Sequence, residues 1–289
     1  MIRKIDRYVE LTKPKVTLLN LLVGGTCFIL AAYPRVDLLN LFIFSVGGYL
    51  AAGGCGVLNC VYDKDVDELM PRTSERAIPS GAVKRGKALL FGVVMTVTGI
   101  AISYFVFNFL TALMMVLGAV FYILVYTILL KRTSAWNVVI GGFAGCFAAL
   151  SGWTAAAGSL SLLPLLISLV DFLWTPGHLW GLAIKKVKEY GRAGIPMLPV
   201  TVGLRRASQI TFAINVLTIG SSFLLPLLGL TGLLYSAIAV SAGVWFLLES
   251  RKLAVFPSET SGFRVFLASM PYLAVLMAGL VVDKILFVG

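Results

Sequence analysis

Long apolar runs separated by short polar segments repeat along the whole chain. Each run is close to the roughly 20 residues that a helix needs to cross a bilayer. The runs lie near 16–33, 38–60, 87–107, 109–130, 135–157, 161–184, 206–229, 232–249 and 266–287. The breaks at 108 and 230–232 are short and predict tight helical hairpins. The pattern predicts an all-α, polytopic membrane protein with nine transmembrane helices. It does not alternate as the strands of an outer-membrane barrel do.

The positive charges follow the same division. All but two of the 24 Lys and Arg residues fall on one side of the nine-helix topology, the exceptions being Arg35 and Lys284. Because cytoplasmic segments are enriched in Lys and Arg, we expect a plasma-membrane protein with a cytoplasmic N-terminus and an external C-terminus. Two cytoplasmic loops are long, about 61–86 and 185–205.

Composition excludes several classes of protein. The chain is 59% hydrophobic and 13% charged, with a mean hydropathy of +0.95, whereas soluble proteins carry about 25% charged residues. Little sequence remains for a soluble domain, so we expect one integral-membrane domain over 1–289, with helices 1–4 and 5–9 as its two parts. The net charge of +11 fits the positive-inside rule and anionic lipid rather than nucleic acid. The lone histidine excludes a multi-histidine metal site.

The most specific motif is a set of oxygen-bearing side chains at the end of helix 2. Asn59, Asp63 and Asp67 are four residues apart, so a helix places all three on one face. Oxygen ligands shared with phosphate groups suit Mg²⁺, and Arg72 and Arg76 follow, where guanidinium groups could bind phosphate. The alternative is a solvated acidic helix end without a ligand.

A second candidate region surrounds the second long loop. Asp171 lies about ten residues inside an apolar run, where an ionisable group is a functional hypothesis by default; a carboxyl bonded to a neighbouring helix is the alternative. Pro176-Gly177 is expected to break or kink helix 6, and His178 follows as a ligand-binding or a structural histidine. Lys185 and Lys188 are candidate phosphate ligands or ordinary positive-inside charges.

Two further lysines, Lys13 and Lys131, stand where helix 1 begins and helix 4 ends. Both are candidates for phosphate contacts. Positive-inside charge is the alternative explanation for each of them.

At this point the first motif resembles a known family. Asn59-x3-Asp63-x3-Asp67, followed by Arg72 and Arg76, is similar to the first aspartate motif of the UbiA-type intramembrane prenyltransferases. The segment from Trp174 to Pro199 is more specific. Its Trp174-Thr-Pro-Gly-His178-x-Trp180 and Glu189-Tyr190 resemble the heme O synthase branch, the protoheme IX farnesyltransferases.

The resemblance implies a helical bundle around a central cavity, capped by the two cytoplasmic loops. It implies Mg²⁺, one ion or two, and transfer of a farnesyl group from farnesyl diphosphate to a vinyl group of heme b, giving heme O. Hand-over of the product to heme A synthase or a terminal oxidase would follow. The metal ligands it implies are Asn59, Asp63 and Asp67. The substrate-binding residues it implies, together with the residue-level candidates above, are Arg72, Arg76, Lys13, Lys131, Lys185, Lys188, Glu189, Tyr190, His178 and Asp171.

The chain departs from the branch at several positions. The region 186–190 lacks a full second aspartate motif, and Gly177 and Ala148-Ala149 stand where the branch has prolines. A prenyltransferase for a quinone ring or another lipid acceptor is therefore the alternative function. A transporter and a structural membrane subunit are two further alternatives, which the position of the charges disfavours.

Overall fold

Nine helices long and apolar enough to cross a membrane are present in the described part of the chain. The computed structural model describes residues 2–71 and 73–287, which include no β-strand. The nine helices, called the first to ninth membrane helices below, are Pro14–Ala32, Leu38–Tyr62, Arg85–Phe107, Phe109–Leu130, Asn137–Ala157, Leu162–Lys185, Leu204–Leu227, Leu233–Val255 and Glu259–Leu286. The all-α class and the nine predicted spans are confirmed. The chain is a multi-pass membrane protein, while its orientation and its membrane of residence remain predictions.

The last two helices are longer than their apolar runs. The eighth continues to Val255 rather than 249, and the ninth begins at Glu259 rather than 266. The ninth helix can begin early because Ser258 and Ser261 exchange bonds before it: each backbone N–H donates to the other hydroxyl at 3.0 Å. Such reciprocal bonds satisfy the free donors of a helix start. The end of the eighth helix and the start of the ninth thus carry charged residues, which hydropathy alone does not predict to be helical.

Polar side chains cap the starts of helices at the two predicted hairpins. Asn108 separates the third and fourth membrane helices, where its side-chain oxygen accepts from the Thr111 N–H at 2.8 Å. At the other hairpin, Asp283 of the ninth helix accepts from the N–H groups of Gly232 and Tyr235 at 2.6 and 3.0 Å. One buried carboxyl therefore caps the start of a neighbouring helix.

Glycines allow close contacts where helices cross. The first and fifth membrane helices meet at Gly24, where a β-carbon would lie 2.9 Å from the Ala148 carbonyl oxygen. The sixth and seventh meet at Gly177, where a β-carbon would overlap the Asn215 side-chain oxygen. Such small-residue contacts are typical of membrane bundles. The glycine at 177 therefore has a packing reason. The sixth helix continues through Pro176, so a break there is wrong, while a kink remains a prediction.

The two long loops lie at the same end of the bundle. Val66 and Met70 of the first loop share a buried hydrophobic cluster with Ile195 and Met197 of the second. The first membrane helix also packs on the second, fifth and ninth membrane helices, so that the two ends of the helix sequence are in contact. The fold thus places both loops around a common site, although a cytoplasmic position for them remains a prediction.

Candidate active site

Asn59, Asp63 and Asp67 form a buried face at the end of the second membrane helix. The helix ends at Tyr62, but helical bonding continues through the motif. The Asp63 N–H donates to the Asn59 carbonyl at 2.9 Å, and the Asp67 N–H donates to the Asp63 carbonyl at 2.8 Å. The three residues are 2%, 2% and 5% exposed, whereas the Asp65 side chain, turned away, is 66% exposed. A solvated helix end would expose them all, so burial opposes that alternative.

Two lysines from distant segments bind this face. The Lys13 ammonium, ahead of the first membrane helix, donates to Oδ1 of Asn59. The Lys131 ammonium, directly after the fourth, donates to Oδ2 of Asp63. Positive-inside charges that serve only topology would stay solvated. These two are instead engaged with the buried motif.

Arg76 completes the set from the first long loop. Its Nη1 donates to both carboxylate oxygens of Asp67, at 3.1 and 2.9 Å. Burial lowers the pKa of the Arg76 guanidinium, but the acidic groups around it, Asp67 first among them, together outweigh burial and the net shift of the pKa is upward. Arg76 therefore stays charged beside Asp67. Arg72 lies outside the described residues.

A second ion pair lies on the outer side of the same segment. Arg132 donates to both oxygens of Asp65 at 2.7 Å, and its guanidinium lies 4.8 Å from the centre of the Tyr62 ring. Hydrogen bonding from Arg132 lowers the pKa of the Asp65 carboxyl. Neighbouring cations thus divide their roles: Lys131 points to the buried face and Arg132 to the exposed one.

The backbone at Lys13 is strained. Its φ of 50° and ψ of 61° place it in the left-handed region, and it is the one non-glycine residue with positive φ in the described chain. Such a conformation costs about 1–3 kcal/mol and concentrates at functional sites. Here it turns the chain into the first membrane helix, just before Pro14, and brings the ammonium to Asn59.

The fourth membrane helix changes its winding beside this face. Residues Phe121–Leu130 form a π-helix, whose hydrogen bonds join residues five apart, as from the Lys131 N–H to the Tyr126 carbonyl at 2.8 Å. Nine residues make two and a half α-helical turns, which would place Tyr122 and Lys131 on opposite faces. Wider π turns keep both on the side of Asp63, and π segments are frequent at functional sites.

Three residues of this π segment belong to the site and were missed from the sequence. The Thr127 hydroxyl accepts from Nδ2 of Asn59 at 2.9 Å, and the Tyr122 hydroxyl accepts from Lys13 at 3.4 Å. The Tyr122 and Tyr126 rings stack, with centres 5.9 Å apart. The available signal was a Tyr-x3-Tyr-Thr cluster in an otherwise apolar span, but α-helical periodicity does not connect it to Lys131.

The donor set fits a metal that shares its coordination with a substrate. Asp63 keeps one oxygen, Oδ1, buried and without a hydrogen bond. The described residues contain no group of three or more His, Cys, Asp or Glu side chains placed to hold a metal. Asn59, Asp63 and Asp67 offer two carboxylates and an amide. A Mg²⁺ ion there would need water or phosphate oxygens to complete its shell, as Mg²⁺ usually does.

Charged residues of the second loop make other contacts. Lys185 and Lys188 lie 4.0 and 3.7 Å from the carboxylate of Glu259 on the ninth membrane helix. Lys186 binds Glu189 at 2.5 Å. These ion pairs do not bring the second-loop lysines to the Asn59 face, so their phosphate role remains a prediction.

Glu189 and Tyr190 remain close to the loop–loop contact. Glu189 keeps Oε2 buried without a hydrogen bond. Tyr190 packs against the hydrophobic cluster that joins the loops. Both positions border the site end of the bundle, and their substrate-binding role also remains a prediction.

His178 connects the sixth and ninth membrane helices. Its Nδ1 is 2.6 Å from the Ser269 hydroxyl. Its ring lies between Trp174 and Phe266, stacked on Trp174 and tilted against Phe266, with ring centres 4.4 and 4.5 Å away. These contacts support the structural interpretation of His178, and no described contact joins it to Asp63.

Comparison with known proteins extends this picture. The family model described as the UbiA prenyltransferase family matches residues 18–275. The protoheme IX farnesyltransferase of Nostoc sp. is 38% identical over 286 residues, covering 98% of this chain and 90% of that protein. The one from Mycolicibacterium smegmatis is 40% identical over 282 residues, covering 96% and 91%. A UbiA homologue from Archaeoglobus fulgidus, solved with DMAPP and Mg²⁺, has a TM-score of 0.73 at 17% identity and covers 95% of this chain and 99% of its own.

Proposed function

Because the chain belongs to the UbiA prenyltransferase family, we propose that it transfers a farnesyl group from farnesyl diphosphate to a vinyl group of heme b. The product is heme O. The acceptor and the length of the prenyl donor rest on the relatives, which are named as protoheme IX farnesyltransferases. The Archaeoglobus homologue with DMAPP and Mg²⁺ supports an isoprenyl diphosphate and a divalent metal for the shared fold.

One observation carries the location of the site. Three cations from three separate segments converge on a buried Asn-Asp-Asp face: Lys13, Lys131 and Arg76. Buried charges are retained only when paired. A diphosphate group supplies the negative oxygens that such cations bind, and the Asp side chains supply metal ligands. The same six groups therefore provide both halves of a Mg²⁺-diphosphate site.

Asn59, Asp63 and Asp67 are the residues that would hold Mg²⁺. The ion supplies charge neutralisation for the departing diphosphate. If Asp63 and Asp67 held the metal, Lys131 and Arg76, which now pair with them, would be free to donate to phosphate oxygens. The cations are thus held ready beside the site before substrate binds, which is preorganisation of the kind that stabilises developing charge.

The reaction breaks the bond between the first farnesyl carbon and a diphosphate oxygen, and the electron pair leaves with diphosphate. Allylic positive charge develops on the carbon and is attacked by the vinyl group. A site enclosed within the bundle would keep bulk water from this cation. Arg72, Glu189 and Tyr190 are proposed as further substrate contacts, and Lys185 and Lys188 would join them only by leaving Glu259.

A product assay tests the proposal. The detergent-purified protein is mixed with heme b, farnesyl diphosphate and Mg²⁺, with and without EDTA, and mass spectrometry follows the porphyrin. We expect a porphyrin heavier by one farnesyl group and one hydroxyl group, and EDTA should abolish it. Farnesylation of a hydroquinone with none of heme b would favour the quinone-type alternative. Product formation that EDTA leaves unchanged would contradict the metal assignment.

A further inference from the structure

Asp171 is a carboxyl group buried near the middle of the sixth membrane helix. At 1.5 Å per residue it lies about 14 Å from Leu162 and about 21 Å from Lys185. Only 5% of its surface is exposed. Ionisable side chains at such depth in a membrane helix are costly and mark functional sites. None of the ion pairs described above involves it.

The Asp171 carboxyl has no hydrogen-bond donor within the described residues. The Thr175 hydroxyl, one turn away, donates instead to the backbone carbonyl of Asp171 at 2.9 Å. Asp283 shows the opposite arrangement in the same bundle: it is 1% exposed and accepts from two backbone N–H groups. Because buried carboxyls are normally hydrogen-bonded, the helix cap explains Asp283, and no comparable contact explains Asp171.

The fifth membrane helix connects Asp171 to the candidate active site. Gly141 and Gly145 are about one turn apart along this helix, on either side of a turn at Gly142. The Tyr126 ring packs on Gly141, where a β-carbon would lie 2.5 Å from a ring carbon. Oδ2 of Asp171 packs on Gly145 in the same manner. Asp171 is therefore about one helical turn, about 5 Å, deeper in the bundle than Tyr126.

We propose that Asp171 is the hydrogen-bond acceptor for an O–H group bound beneath the Asn59 face. A neutral hydroxyl is the partner that suits this depth, because bringing an ammonium or guanidinium group so far from water costs far more. Because Gly145 has no side chain, Oδ2 packs directly against the fifth membrane helix, and the 5% of Asp171 that remains exposed is the surface open to a ligand. Asp171 thus acts where the molecule that receives the farnesyl group reacts, whereas Asp63 acts where the diphosphate group leaves.

The O–H group has two candidate sources, and the inference rests on the proposed function. One is the water that completes hydroxyethylfarnesyl formation. The farnesyl carbon bonds to the terminal vinyl carbon, positive charge passes to the vinyl carbon next to the porphyrin, and the water oxygen bonds there. The released proton passes to the Asp171 carboxylate and then to solvent. The other source applies if the prenyl acceptor is a hydroquinone rather than heme b, and it is a hydroxyl group of that hydroquinone.

Three full-length variants test the inference: Asp171→Leu, Asp171→Asn and, as a matched buried carboxyl, Asp283→Asn. Products are separated by mass, because a cation that loses a proton instead of adding water gives a porphyrin lighter by one water. We expect Asp171→Leu to raise the ratio of dehydrated to hydrated product at least tenfold, with a smaller rise for Asp171→Asn. Asp283→Asn should leave the ratio unchanged. If the O–H group belongs to the molecule that receives the farnesyl group, Asp171→Leu instead raises the KM for that molecule tenfold.

Thermal unfolding supplies a readout that is independent of turnover. Removing an unpaired buried carboxyl relieves a desolvation cost, so Asp171→Leu should keep or raise the melting temperature, whereas Asp283→Asn should lower it. Equal losses of stability in both would overturn the inference by making Asp171 structural. Unchanged product ratio and unchanged acceptor KM in Asp171→Leu would overturn it as well.

Failure of the proposed function gives a different result. If the wild type makes no farnesylated porphyrin, the substrate assignment fails, and a short-chain hydroquinone is titrated by tryptophan fluorescence. A tenfold weaker Kd in Asp171→Leu, with Asp283→Asn unchanged, would still support an O–H ligand. Equal affinity in all three proteins would reject it.

Discussion

The two long loops, 61–86 and 185–205, each carry five Lys and Arg residues but use their charges differently. In the first loop and its neighbours, Lys131 and Arg76 reach inward to buried carboxylates. In the second loop, Lys185 and Lys188 bind Glu259 at distances near 4 Å, and the Lys188 side chain is 81% exposed. Exposed pairs of this kind contribute little. The difference shows that burial, rather than charge count, separates a candidate site from a charged surface.

The contrast also explains why the second loop is close to the site without forming it. Ile195 and Met197 pack with Val66 and Met70, so the second loop supports the segment that carries the acidic motif. Its own charges remain at the edge. In this structure the second loop therefore packs beside the site without contributing charged groups to it. To contact a ligand, Lys185 and Lys188 would have to leave Glu259.

The sharpest test of the comparison is Asp63→Asn against Asp65→Asn. The two residues are two positions apart, but only Asp63 belongs to the buried face. We expect Asp63→Asn to lower kcat by about 10²–10³-fold, the usual effect of removing one preorganised electrostatic group. Asp65→Asn should change kcat less than threefold. Equal effects in a farnesyl-transfer assay would remove the distinction between the two faces.

The next test compares two adjacent cations, Lys131→Met and Arg132→Met. Lys131 binds Asp63 and Arg132 binds Asp65. We expect Lys131→Met to raise KM for farnesyl diphosphate and to lower kcat/KM by about 10²-fold, because a charge-assisted phosphate contact is lost. Arg132→Met should lower it only a fewfold. Titration with inorganic diphosphate, followed by thermal shift, checks the binding part separately.

A smaller effect is expected in the second loop. The double change Lys185→Met with Lys188→Met removes two partners of Glu259. If both lysines remain in these edge contacts during turnover, kcat/KM falls less than tenfold, and Glu259→Gln behaves similarly. A loss of 10²-fold or more, with Glu259→Gln still active, would show that the lysines leave Glu259 to bind the substrate.

The smallest effect concerns pH and the exposed pair. The Arg132 guanidinium lowers the pKa of Asp65 in the folded protein, so this pair stabilises the fold fully above the unfolded value of about 3.9. The stabilisation is lost as pH falls through the lower, folded pKa. For an exposed pair we expect about 0.2–1 kcal/mol. Melting temperatures of wild type and Asp65→Asn should differ slightly at pH 6 and converge at the acid limit; a gap that persists there would contradict this.

Much of the fold could be predicted from the sequence because a bilayer sets the length of each helix and requires every backbone group to be bonded within it. Helical periodicity likewise predicted the common face of Asn59, Asp63 and Asp67. The start of the ninth helix was missed, because the bonds around Ser258 begin it well before the apolar run.

The sequence by itself determined the nine spans, the acidic face and the candidate cations. Only the tertiary structure decided which cation meets which acid, since Lys13 and Lys131 lie far from Asn59 and Asp63 along the chain. It also decided that Tyr122 and Thr127 join the site, because π winding rotates them relative to an α-helix. Tertiary structure also decided that Asp283 accepts hydrogen bonds from a neighbouring helix and that Asp171 does not. Whether a buried carboxyl finds a donor depends on the neighbouring helix, and local sequence does not specify that neighbour.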